Sequence, residues 1–536
     1  MKNIKKYFSV ILFYPLLIVT ILGWFLIPYF KPYLKEIIGF GIVTTILFSL
    51  YLLIPKLKIQ KWFLIASILL LAALAFIKLS FYYHYNVKLS GSALFVIFET
   101  NTQETSEFLS YYLNTSIILL AIVLFLPWLF LIPFILKQES SLLFTDRLKS
   151  VKWKILIVLG IVLSLFIIHK KFSEHNIIYT SIASYSDYQI TKANLKKTLA
   201  KSASDILKVH SSDEKPQTYV VIIGESTSRW HMQLYGYERE TNPLLTEIKD
   251  ELVIFKDVIT PNVHTILALD KILTFSDYKH PNKEENASIV QLANQAGFTT
   301  YWISNQRPVG LHESVSTLIG NASDQTYFLA TDNYNSNIYD EVVLPKLDEI
   351  LTQGDEKKMI FIHLIGTHGD YKKRYPKKYA FFNDSPPQTP FITKSNEHYV
   401  NEYDNAIRYN DSIVRSIIET VRKEEKSSFV IYFSDHGDEL HDTMDLRGHN
   451  EYYGTPPMYE VPFVIWTSPE YKNQHPNLSD LNSFTDRKYN LENFIHSFSD
   501  LSRIEFNLMD KSRSIFNPEF QERTRWIKEN EDYDNR

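Results

Sequence analysis

The chain has 536 residues, with 56 Lys and Arg against 60 Asp and Glu, a formal net charge of −4 and 45% hydrophobic residues. That length allows about three or four domains, and the slight acidic balance argues against a general nucleic-acid binder, which would carry a basic excess. Cysteine is absent, which excludes disulfides, thiolate zinc sites, iron–sulfur clusters and a cysteine nucleophile.

The average composition conceals two unlike parts. Five apolar runs, residues 7–30, 37–54, 62–77, 117–136 and 155–169, predict a five-helix transmembrane domain over residues 1–171. A span needs about 20 apolar residues. The third and fifth runs are shorter, but Lys78, Lys154 and Lys170 at their ends can reach the interfaces with their charged heads. The first run ends in Ile27-Pro28-Tyr29-Phe30-Lys31 rather than in a small-residue cleavage site, so it reads as an anchor. With the N-terminus inside, the inner segments carry 11 basic residues and the outer loops four. The positive-inside rule then places everything after the fifth span on the outer face.

The loop between the third and fourth runs reads FVIFETNTQETSEF, with Glu99, Asn101, Glu104 and Glu107. Polar residues three and four apart share a helix face. The loop is either a solvated amphipathic turn or a polar head-group site at the membrane surface.

Residues 172–217 are polar and read as a helical linker to a second domain over residues 218–536. There, short apolar runs predict strands at 219–223, 299–304, 359–364, 429–434 and 461–466. Amphipathic runs predict helices at 243–252, 265–275, 288–296, 345–351 and 403–421. Such alternation implies an α/β fold with a largely parallel central sheet, whose ligands bind beyond the carboxyl ends of the strands. Chemically capable residues fall at those ends. One strand runs into Gly224-Glu225-Ser226, another into Gly366-Thr367-His368-Gly369, a third into Asp435-His436-Gly437-Asp438, and His449 follows. Each alone reads as a satisfied polar group. Together, with no thiolate in the chain, they form a carboxylate and imidazole set suited to zinc. Thr265 follows the Pro261-Asn262 break, close to a predicted helix start. It is either a helix N-cap or a hydroxyl that a metal activates, beside a helix terminus that favours phosphate.

The segments GESTSRWHMQLYGYERETNP, VHTILAL, HLIGTHGDYKKRYP, YDNAIRYND and SDHGDELHDTMDLRGHN resemble the membrane-anchored phosphoethanolamine transferases of the alkaline phosphatase and sulfatase superfamily. That resemblance implies zinc, one ion with a second open, held by Glu225, Thr265, Asp435 and His436, with Thr265 as the nucleophile. It implies that His368 and His449 serve the head group, the leaving group or a second zinc, with His363 a further candidate at the same strand end as His368. It also implies a bacterial inner-membrane protein with a periplasmic catalytic domain, a phosphatidylethanolamine donor and a lipopolysaccharide acceptor. The lipid A-modifying branch carries cysteines beside its nucleophile. Their absence here is more similar to the branch that modifies core heptose. A phosphoglycerol transferase and a non-catalytic membrane scaffold are the alternatives.

Overall fold

The computed structural model describes residues 8–85, 88–89, 94, 113–137, 150–199, 207–213, 216–279, 287–306, 315–330, 339–478, 481–528 and 530–536. The chain divides into two compact units, Met1–Phe98 with Thr105–Asp187, and Glu99–Glu104 with Tyr188–Arg536.

The predicted spans 37–54, 62–77, 117–136 and 155–169 fall on helices, and the run 7–30 is divided between two. After a 3₁₀ turn over Phe8–Phe13 come α1 (Tyr14–Leu26), α2 (Phe30–Leu53), α3 (Leu57–Tyr85), α4 (Thr115–Leu136) and α5 (Val151–Ile167). The two runs that looked short belong to long helices, with apolar stretches over Leu57–His84 and Val151–Phe172. Their flanking lysines extend the helix rather than end it, because Lys has good helix propensity. The first run is corrected the other way. Its helix stops at Leu26, because Pro28 drives Ile27 into an extended conformation, and Phe30 opens α2 instead. Four helices among the described residues are therefore long and apolar enough to cross a membrane, and Val10–Leu26 is a shorter apolar helix.

These helices pack through Val19, Phe40, Leu64, Leu71, Leu124 and Trp128. Apolar residues also face outward: α5 buries none of its residues, and Leu159, Val162 and Phe166 on it are exposed. Such a surface suits lipid, not water. A polar cluster lies within the unit. Glu36, 1% exposed, pairs with Lys78 and accepts hydrogen bonds from Tyr82 Oη at 2.9 Å and His175 Nδ1 at 2.8 Å. It ties α2 and α3 to the residues that follow α5. The polar stretch after α5 then forms α6 (Ile177–Leu199).

The second unit is built on a seven-stranded sheet: β1 (Gln217–Gly224), β2 (Leu252–Ile254), β3 (Thr299–Ser304), β4 (Gln325–Phe328), β5 (Lys357–His363), β6 (Ser427–Ser434) and β7 (Phe463–Thr467). The spatial order is β2-β7-β6-β1-β5-β3-β4. Only β7 runs against its neighbours, so the expected largely parallel sheet is present. The edge strands β2 and β4 have three and four residues and carry too little periodicity to be read from sequence. The helix expected at 243–252 is only Pro243–Glu247, because Leu252 joins the β2 edge.

Side chains alternate across β1. Tyr219, Val221 and Ile223 join one core with Leu269, Ile289 and Phe494. Val220 and Ile222 join the other, with Leu347, Tyr403, Ile407 and Ile417. The helix that supplies Leu269 is α7 (Thr265–Ile272), and the long helix behind the second core is α8 (Glu397–Arg422). Register then positions the site. Ile223 pairs with His363, and Gly224 with Ser434. The next residues of the two central strands, Glu225 and Asp435, therefore emerge together at the carboxyl edge.

Candidate metal centre and active site

Glu225, Asp435 and His436 are at most 1% exposed, and one ligand atom from each lies within 4.8 Å of the others. His436 Nε2 is 3.3 Å from Glu225 Oε1 and 3.6 Å from Asp435 Oδ2. Its other nitrogen, Nδ1, donates to the Gly437 carbonyl at 3.1 Å, which leaves the Nε2 lone pair for the site. Thr265 Oγ1 donates to Glu225 Oε1 and Oε2, both at 3.2 Å, and lies 3.4 Å from His436 Nε2. The N-cap of α7 is His264, so Thr265 is the first helical residue and its hydroxyl is not spent on capping.

The loops that carry these groups are held in unusual conformations. Ser226 has φ +58°, and Tyr403 on α8 locks it by donating to the Ser226 carbonyl at 2.7 Å and accepting from Ser228 N at 2.8 Å. Gly366 has φ +52°, and a Cβ there would lie 2.7 Å from the Glu225 carbonyl oxygen. Only glycine permits that approach. It lets Thr367 N and Oγ1 each donate to the Glu225 carbonyl at 3.0 Å.

Electrostatics fit a cation. Burial pushes the Asp435 carboxyl up, and the Glu225 charge adds to it. Asp435 Oδ1 accepts from Ser226 N at 3.1 Å and His436 N at 2.7 Å, while Oδ2 is buried with no hydrogen-bond partner. A buried carboxylate oxygen without a donor is costly. Oxygen and nitrogen donors that converge on one point, with one oxygen orphaned, match the donor chemistry of zinc.

The structure brings together Glu225, Thr265, Asp435 and His436 from two loops and a helix start. His449 stands beside them, its ring 4.2 Å from that of His436, with Nδ1 on Asp438 Oδ1 at 2.7 Å. Burial and the neighbouring His436 lower its pKa. His368 sits in the adjoining loop, where Arg374 Nε donates to its carbonyl at 2.8 Å. His363 is buried at the end of β5 against Ser304 Oγ at 3.4 Å, and burial lowers it to about 4. Glu99, Asn101, Glu104 and Glu107 lie outside the described residues.

Sequence reasoning missed several neighbours. Asp438, which orients His449 and accepts from Tyr371 Oη at 2.8 Å, was legible as the last residue of the Asp435–Asp438 run. His264, packed 5.1 Å from His449, directly precedes Thr265. Gln306, which donates to Glu225 Oε2 at 3.1 Å, had no signal. Nor did His231, buried between Asp404 at 2.7 Å and Asp442 at 3.2 Å, where it joins α8 to the loop after Asp438.

Burial alone would lower the His231 pKa, but Asp442 and Asp404 raise it to about 10. A raised folded-state pKa gives stability that is complete below the unfolded value and lost as pH rises through the folded one. We expect His231→Gln to cost about 3–5 kcal/mol at pH 7, because it removes the buried cation between Asp404 and Asp442 and leaves Arg239 alone to balance Asp404. The gap from wild type should close as pH passes about 10. Urea unfolding across pH checks this, and a gap independent of pH would contradict an imidazolium at this position.

A sulfatase family model matches residues 217–504, the unit built on this sheet. The whole chain is 34% identical to the phosphoethanolamine transferase EptC of Escherichia coli K12, over 94% of this chain and 93% of that one. It is 35% identical to the phosphoethanolamine transferase CptA of Salmonella typhimurium, with the same shares covered. The periplasmic domain of Escherichia coli EptC, solved in complex with Zn, is 36% identical with a TM-score of 0.59, over 61% of this chain and 96% of that one. The full-length membrane protein EptA of Neisseria meningitidis shares the fold, with a TM-score of 0.68 at 19% identity over 95% of this chain and 97% of that one. The fold and the strand-end site thus define a sulfatase-type enzyme. The chain belongs to the phosphoethanolamine transferase family.

Proposed function

We propose that this protein transfers phosphoethanolamine from phosphatidylethanolamine to a lipopolysaccharide acceptor through a covalent intermediate on Thr265. The observation that carries the reading is the Thr265 hydroxyl at the start of α7, 3.2 Å from both Glu225 oxygens and facing the orphaned Asp435 Oδ2 cluster. Glu225, Thr265, Asp435 and His436 are the residues that would hold zinc. When bound, zinc supplies Lewis-acid stabilisation of the nucleophile and of charge on the phosphoryl oxygens.

In the first displacement, Thr265 Oγ1 forms a bond to the donor phosphorus and the bond to the diacylglycerol oxygen breaks. The hydroxyl proton passes to the Glu225 carboxylate, to which its hydrogen bonds already point. His368 or His449 protonates the departing oxygen. In the second displacement, an acceptor oxygen attacks the same phosphorus and Thr265 leaves, taking its proton back from Glu225. His449, oriented by Asp438, accepts the acceptor proton. Dividing the transfer in two replaces one hard step by two easier ones. Zinc in the related EptC domain and the names of the two relatives support this reading.

The reading makes residues 1–171 a membrane anchor, residues 172–217 a linker and residues 218–536 a catalytic domain on the periplasmic side of a bacterial inner membrane. Glu99, Asn101, Glu107 and His363 are the proposed head-group contacts. Core heptose is the favoured acceptor, because the segment around Thr265 has no cysteine. Mass spectrometry of lipopolysaccharide from cells with and without the protein should show one added phosphoethanolamine on the core oligosaccharide. Addition on lipid A alone would refute the acceptor and leave the enzyme class standing. Donor labelled in its head group tests the other half, since transfer of a phosphoglycerol unit would refute the donor.

Orientation has its own test. A reporter active only outside the cytoplasm, fused after Arg536, should be active. Activity of a cytoplasm-only reporter at the same site would overturn the periplasmic placement.

A further inference from the structure

Glu225 presents two chemically unlike oxygens. Oε1 faces His436 Nε2 at 3.3 Å and accepts from Ser226 Oγ at 2.8 Å. Oε2 accepts from Gln306 Nε2 at 3.1 Å. The same amide nitrogen donates to the Leu364 carbonyl at 2.9 Å. Both partners of this nitrogen are acceptors, so only the orientation that turns the NH₂ group inward satisfies them. Gln306 is itself held: its backbone N donates to Ser304 Oγ at 3.1 Å, and Ser304 lies at the carboxyl end of β3. The amide therefore spans from β3 to the loop after β5 and rests on the carboxylate that follows β1.

We propose that Gln306 is a positioning residue for the metal carboxylate: its amide holds Glu225 Oε2, an oxygen it shares with the Thr265 hydroxyl, so that Oε1 is the oxygen turned to His436 and the cation. The inference rests on the metal reading above. An untethered carboxylate swings between one-oxygen and two-oxygen binding. A two-oxygen grip would crowd the coordination position that a phosphoryl oxygen must enter. Two donors from one planar amide lock the torsion that decides between them. Outer partners of metal ligands typically contribute 10–100-fold in metal affinity or activity.

The test uses the full-length protein in detergent, with zinc as the probe and a competing chelator as the readout. Gln306→Met keeps the length and removes both donors. It should weaken zinc binding about 10–100-fold and lower kcat with KM for the lipid donor unchanged. The melting temperature of the metal-free protein should stay within a few degrees of wild type. Gln306→Glu keeps the shape and makes the donor conditional on a proton. Its zinc-affinity deficit relative to wild type should widen from about pH 5 to pH 8, as the new carboxyl ionises against Glu225. A residue that only braces the loop through Leu364 would shift the melting temperature and show no such pH dependence. Wild-type zinc affinity and kcat in Gln306→Met, or a flat pH ratio in Gln306→Glu, overturns the proposal while the metal reading stands. Wild-type protein that takes up no zinc overturns both.

Discussion

Thr265→Ala should abolish transfer, by at least about 10³-fold in kcat, while the protein folds and inserts normally. Removing a covalent nucleophile leaves only the residual effect of binding and electrostatics. The stability cost should be small. The structure assigns the N-cap of α7 to His264, so the methyl-for-hydroxyl change removes no cap. What it removes is one donor to Glu225, whose carboxylate keeps Ser226 and Gln306. A loss of about 1 kcal/mol follows from one such hydrogen bond. Thr265→Ser should retain partial activity, because the hydroxyl survives but the methyl that restricts its rotamer does not. The direct observable is a Thr265 peptide heavier by one phosphoethanolamine after exposure to donor without acceptor. Near wild-type transfer by a folded Thr265→Ala protein would end the double-displacement reading.

Asp435→Asn should eliminate zinc binding, and its stability should separate ligand loss from misfolding. Asp435 Oδ1 is tied to two backbone N–H groups, and Asn keeps that acceptor. The orphaned Oδ2 becomes an NH₂ group, which points positive charge at the cation. Zinc affinity should fall by at least about 10³-fold, more than the loss of an outer partner costs. In metal-free protein, burial and the Glu225 charge disfavour the Asp435 carboxylate. A neutral amide relieves that repulsion, so metal-free Asp435→Asn should be at least as stable as metal-free wild type. Zinc at about a thousand times its Kd should stabilise wild type by about 4 kcal/mol and the variant by almost nothing. Calorimetry of both proteins with and without a chelator reads all four states. Equal zinc stabilisation in both would remove Asp435 from the site.

Chain order and periodicity carried much of this far. The apolar runs declared the membrane unit, since no soluble core explains five of them within 171 residues. The central strands β1, β3, β5 and β6 were legible because both faces are buried, which writes a continuous apolar run into each. Glu225, His368, Asp435 and His436 were legible because a parallel sheet delivers the residue after each strand to one edge. Those features depend on neighbours in the chain, and the sequence by itself determined them.

Tertiary structure decided what depends on neighbours in space. Thr265 was ambiguous between cap and nucleophile until the φ and ψ of His264 assigned the cap elsewhere. Gln306 and His231 were silent because a lone amide or imidazole has no period or motif, and its partners lie 81 and 173 residues away. The short edge strands β2 and β4 form only because β7 and β3 offer them unpaired backbone. The end of the first apolar helix lay inside a continuous hydrophobic run, where a proline, not a change in polarity, stops it. The orphaned oxygen of Asp435 exists only once burial has removed water and the backbone has claimed its partner oxygen. Composition and spacing name the candidate residues, but burial and register decide which of their atoms meet.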